Sequence, residues 1–97
     1  MPCDCTLRSV IATAYKGAGS GTSENVSLYV RKNATTDTTI STTWQWTSTF
    51  GIDSVTATGL STTFAAGDWF SMKLVTPAWA TNPTNVYMVV TLEFEVT

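Results

Sequence analysis

The last twelve residues, VYMVVTLEFEVT, alternate without a break. Met88, Val90, Leu92, Phe94 and Val96 fall on one side of an extended chain, and Tyr87, Val89, Thr91, Glu93 and Glu95 on the other. A period of two is compatible with a strand and with no helix. It recurs in TLRSVIATAY (6–15), VSLYVRK (26–32), TTISTTWQW (38–46) and WFSMKLVT (69–76), while SVTATGLSTTF (54–64) reads as two short strands broken at Gly59. No ten-residue window carries the apolar stripe of an amphipathic helix. Between the strands lie turn formers: KGAGSGTSEN (16–25), NATTD (33–37), TFGID (49–53) and AAGD (65–68).

This pattern predicts an all-β chain, an antiparallel β-sandwich of jelly-roll type with seven to eight or more short strands and essentially no helix. Residues 1–5 are expected to form a flexible N-terminal segment and residues 6–97 a single jelly-roll domain. At 97 residues the chain has room for one core, and a compact domain of that length has a radius of gyration of about 12–13 Å. Such a domain buries only a little over ~60% of the surface its unfolded chain exposes, so oligomerisation is a natural further source of stability.

Composition narrows the function. Thr and Ser supply roughly three residues in ten, whereas charged residues make up only 12%, so the surface is largely hydroxyl. A net charge of −2 with five scattered basic residues leaves no electrostatic footprint for nucleic acid or an anionic membrane. No run approaches the ~18 apolar residues of a membrane-crossing helix, and MPCDCTLRSV has neither the basic nor the apolar region of an export signal. Neither nucleic acid nor membrane insertion is expected.

Catalysis finds few materials. There is no histidine, which removes the commonest general base and the commonest metal ligand together. Of the carboxylates, only Glu93 and Glu95 share a strand face, about 6.5–7 Å apart. That spacing is near that of an inverting glycosidase pair, but such a pair must face across a sugar rather than project side by side. Gly67-Asp68 lacks the flanking acidic ligands of a calcium loop and the glycine pattern of a phosphate loop, and reads as a structural turn. Cys3 and Cys5 are too close in sequence for an unstrained bridge, so free thiols or interchain pairing are expected. No cofactor, no metal and no enzymatic activity are expected.

The aromatic residues carry the remaining signal. Trp44 and Trp46 share a face with Ile40 and read as core or subunit contact. Trp79 lies in TPAWATNPTN between Pro77 and Pro83, with side-chain amides at Asn82 and Asn85. Proline on both sides stiffens such a loop and lowers the entropy cost of presenting an aromatic ring. Trp79, Asn82 and Asn85, with Tyr29 as a further candidate, are therefore the expected ligand-binding residues. A lid over the end of the sandwich, or packing against a second subunit, is the alternative for Trp79.

The strand ending with Leu28, Val30, Lys32 and Asn33, and the turn Ala66-Gly67-Asp68 that launches the next long strand, carry a resemblance extending over residues 6–97. The chain resembles the small C-terminal modules of bacteriophage tail fibres and tailspikes that share the trimeric jelly roll of the tumour-necrosis-factor and C1q families. That resemblance implies a homotrimer on the virion, at the tip of a fibre or spike. Apolar strand faces meet around a threefold axis, and distal loops contact a host-surface glycan or protein. Two other readings stay open: a trimerisation cap or virion decoration without a receptor, and a monomeric carbohydrate-binding module.

Overall fold

A computed structural model describes residues 1–16, 24–47, 51–79 and 82–97. Among these residues seven strands follow in chain order: β1 (Cys5–Lys16), β2 (Asn25–Lys32), β3 (Thr36–Gln45), β4 (Gly51–Ala57), β5 (Thr62–Phe64), β6 (Phe70–Val75) and β7 (Tyr87–Val96). No helix occurs among the described residues. Two antiparallel sheets pack face to face, which is the sandwich that the period-two pattern predicts.

In the first sheet β1 is central. One edge pairs with β7 from Cys5↔Val96 to Tyr15↔Tyr87, and the other with β4 and β5 in succession. β4 and β5 thus form one broken lane, interrupted around Gly59, whose φ of 68° suits a residue without a Cβ. Opposite that break β1 has its own irregularity, with the register shifting between Leu7 and Ser9. Its buried positions pass accordingly from Leu7 to Val10, Ala12 and Ala14. β4 starts at Gly51, earlier than the turn chemistry of TFGID suggests, because Gly51 pairs with Lys16 at the end of β1.

The second sheet has the order β3-β2-β6. Asn33 and Ala34, at φ of 50° and 61°, join β2 to β3, and the Thr35 N–H donates to the Lys32 carbonyl at 3.1 Å. This is a two-residue turn of type I′, which matches the twist of the strands it joins. The AAGD stretch forms a type II turn: Gly67 takes φ of 92°, and the Asp68 N–H donates to the Ala65 carbonyl at 3.0 Å.

Leu7, Val10, Ala12 and Ala14 of β1 meet Val26, Leu28 and Val30 of β2 in the core, closed by Ile40, Trp44, Trp46 and Phe64. At the β3 side the sheets adjoin, and Thr38 and Thr62 share a hydroxyl hydrogen bond at 2.7 Å. The radius of gyration is 14.6 Å and the extents are 43 × 21 × 21 Å, more elongated than a compact 97-residue domain. The reason is geometric: a twelve-residue strand runs roughly 40 Å, while each sheet is only three lanes wide.

The N-terminus lies against the Gly67-Asp68 turn. The Met1 carbonyl accepts the Gly67 N–H at 2.7 Å, and the terminal ammonium donates to the Asp68 carbonyl. Both cysteines are unbridged, Cys3 half-buried and Cys5 buried in β1.

Candidate functional site

The segment between β6 and β7 holds three of the candidate binding residues. Trp79 is half-buried, its ring 5.5 Å from that of Trp46 and tilted by 32°, and Trp46 meets Trp44 edge to face at 5.5 Å. The three indole N–H groups have no hydrogen-bond partner among the described residues. Trp79 thus rests on the end of the core rather than standing out from it. Asn82 and Asn85 are exposed, and Asn85 turns the chain at φ of 51° into Val86 and β7. Asn takes that conformation more readily than most residues.

Tyr29 is elsewhere. It lies on the outward face of β2, half-buried, with the Lys73 ammonium 5.1 Å from its ring centroid. No described contact joins it to Trp79, Asn82 or Asn85.

A surface that strand-by-strand reading does not expose adjoins Asn85. The first and last strands pair, and this places Tyr15 beside Tyr87, their rings stacked at 5.1 Å and 12°. Ile52 is the partner of Tyr15 on the opposite lane. The next rows are Ser54, Thr13 and Val89, then Thr56, Ile11 and Thr91. Ile11, Ile52, Tyr87 and Val89 are 47%, 57%, 65% and 54% exposed. These three rows contain no charged side chain. The first charges appear one row on, where Ser9 donates to Glu93 at 3.3 Å and Arg8 bridges Glu95 at 3.0 Å. Glu93 and Glu95 project outward side by side, each engaged by a β1 side chain.

The opposite pole has an open cleft of about 330 Å³ of mixed polar and apolar lining, with Asp4, Thr6, Lys32, Phe64, Asp68 and Thr97 among its walls. Its charged groups are committed to the fold. The Lys32 ammonium donates to the Thr63 carbonyl at 2.8 Å and lies 5.4 Å from the Phe64 ring centroid. Asp4 accepts the Ala66 N–H at 2.9 Å. Asp68 accepts the Ala65 N–H at 2.8 Å and the Asn33 side-chain amide at 2.9 Å, and Asn33 in turn accepts the Trp69 N–H at 3.0 Å. The Asn33 amide, then the Ala65 N–H, holds the Asp68 carboxyl below the usual carboxylate range. Asp68 therefore ties the two turns together.

Inside the sandwich at the loop end, Lys16 and Asp53 form an ion pair at 2.9 Å, with the Lys16 side chain wholly buried. On the outer face of the second sheet, Asp37 receives Arg31 Nε at 2.7 Å and Lys73 at 3.0 Å, which lowers its pKa to about 2. Among the described residues no three cysteine or carboxylate side chains group as a metal site.

No family model, no curated protein and no solved structure matches the chain.

Proposed function

We propose that the chain is a non-enzymatic tip module of a phage tail fibre, assembled as a homotrimer and contacting a host-surface glycan or protein through its loop end. The supporting observation is the uncharged face of Ile11, Tyr15, Ile52, Tyr87 and Val89, on which all but the half-buried Tyr15 are exposed in a single chain. An uncharged face on which large apolar side chains alternate with hydroxyls suits association, and cyclic symmetry gives three copies of one chain the same use for it. Asn85 lies two residues before Tyr87 of that face, Asn82 is exposed and Trp79 rests on Trp46, and side-chain amides beside aromatic rings suit a sugar's hydroxyls and its C–H faces. Three identical weak sites on one assembly gain avidity that a single site lacks.

Light scattering at micromolar concentration, with reductant, tests the assembly: a mass near three times 10.4 kDa is expected, and Val89→Lys should return it to 10.4 kDa. A stable wild-type monomer rejects the reading and favours a carbohydrate-binding module. Adhesion to host cells tests the second half. Asn82→Ala, at an exposed position, should leave the mass unchanged and weaken adhesion.

A structural trimerisation cap is the second reading, favoured by the seating of Trp79 on Trp46 rather than in solvent. It predicts a trimer that adheres to nothing.

A further inference from the structure

The sandwich is closed along one side and open along the other. β3 and β4 adjoin on the closed side, where Thr38 and Thr62 are hydrogen-bonded. On the open side β6 and β7 adjoin, with Phe70 and Phe94 ring centroids 5.6 Å apart. The consequences are visible in burial. Phe70 and Leu74 are opposite Lys32 and Leu28, on the core side of β6, yet remain 36% and 37% exposed. Met88, Val90, Leu92 and Phe94 of β7 also face the core and are only half-buried, whereas their β1 partners are fully buried. A jelly roll of eight strands has two sheets; here each has three lanes, and the place for a fourth lies on this same open side in both.

The edges also differ in how they are protected. Natural edge strands resist further pairing by being short, broken or bulged, or by carrying proline or lysine. β4 and β5 are broken at Gly59, and β6 is six residues long with Lys73 at its middle. Of the protecting devices β7 has only charge, on Glu93 and Glu95: it runs ten residues, Tyr87–Val96, unbroken, with no proline, no lysine and no pairing on the side away from β1 among the described residues. Its only charges, Glu93 and Glu95, point outward, where they would neighbour the outward side chains of any strand added beside them.

We propose that the free edge of β7 is an acceptor for an extended segment of another protein, apolar at alternate residues and basic at the residues between. Such a strand adds its main chain to the ladder of β7, lays its apolar residues over Phe70, Leu92 and Phe94, and sets its basic residues beside Glu93 and Glu95. Main-chain pairing supplies the affinity and the alternating side chains the selectivity. This rests on the edge and its seam, and stands whether or not the chain is a trimer.

The test is amide hydrogen exchange on the whole chain, alone and with a capped ten-residue peptide alternating valine with lysine. A peptide with glutamate in place of lysine is the control. With Glu95 already bridged to Arg8, attraction of lysine and repulsion of glutamate at Glu93 predict about fivefold tighter binding of the lysine peptide. Its addition should slow exchange along Tyr87–Val96 and leave Thr36–Gln45 unchanged. Glu93→Lys, at an exposed position, should narrow or reverse the preference; should that variant not fold, the two-peptide comparison on the unaltered chain decides. No protection of β7 at millimolar lysine peptide overturns the proposal, as does protection of β3 instead. Protection of residues 92–96, clear of the Tyr87 and Val89 face, that rises with protein concentration in the absence of peptide also overturns it, and assigns the edge to a second copy.

Discussion

Ala34 occupies the left-handed region at φ of 61°, beside Asn33 at 50°. A two-residue turn of this type favours Asn followed by Gly, since a Cβ at the second position strains the backbone. Relief of that strain outweighs the added freedom glycine gives the unfolded chain, so Ala34→Gly should stabilise by about 0.5–1 kcal/mol, read as a higher urea midpoint at unchanged slope. The Asn-Ala pair also explains why the turn type is not legible beforehand: NATTD signals a break, but only the φ values identify a tight hairpin. Lys16 and Asp53 show a different limit. Lys16 opens a glycine-rich stretch and looks like a surface residue, yet pairing with Gly51 carries it into the core. Asp53→Ala leaves that ammonium buried without its partner and should cost about 3–5 kcal/mol, whereas Lys16→Met with Asp53→Leu should be neutral or stabilising. Chemical denaturation of both variants measures the contrast.

At the scale of elements, strand identity is legible because alternation needs no knowledge of partners. The whole of β7 and most of β2, β3 and β6 follow from it. Pairing is not legible in the same way. Tyr15 and Tyr87 are 72 residues apart and meet only because the last strand lies beside the first. Tyr29 alternates as well as any residue of β2, but alternation does not say which sheet it decorates or which pole it serves. Pairing also sets the response to acid. Asp37 of β3 receives Arg31 of β2 and Lys73 of β6, so one carboxylate clamps all three strands of its sheet. Its pKa of about 2, and the lowered pKa of Asp68, both lie below the unfolded value of about 3.9. As acid is added the unfolded chain takes up these protons first. The stabilisation is therefore complete above the unfolded value and is lost as pH falls through the folded one. The thermal midpoint should be level above about pH 5 and fall between about pH 4 and pH 2. Asp37→Asn should lower the plateau and flatten the last part of that fall.

At the scale of the molecule, sequence composition indicates a hydroxyl-rich surface but not where the apolar exceptions gather. Ile11, Ile52, Tyr87 and Val89 come from three strands, and only the assembled sheet makes them one face. The proposed assembly through that face would link folding to association, so on that reading the midpoint of thermal unfolding should rise with protein concentration. Calorimetry at two concentrations tenfold apart tests this. An unchanged midpoint would separate the face from stability. Trp79 is the counterpart within one chain: flanking prolines and amides suggest a presented ring, while Trp46 supplies an apolar seat that a linear reading cannot place beside it.

The two chain ends share a pole. The Thr97 N–H donates to the Asp4 carbonyl at 3.1 Å, and Met1 is docked on the turn beside them. The tyrosine stack, with Asn85 two residues before Tyr87, occupies the far end of a body 43 Å long. A linker attached at either terminus therefore leaves from the same place. Immobilised on a bead or sensor chip by either end, the protein stands upright with its tyrosine stack uppermost, and the two attachments should report the same ligands.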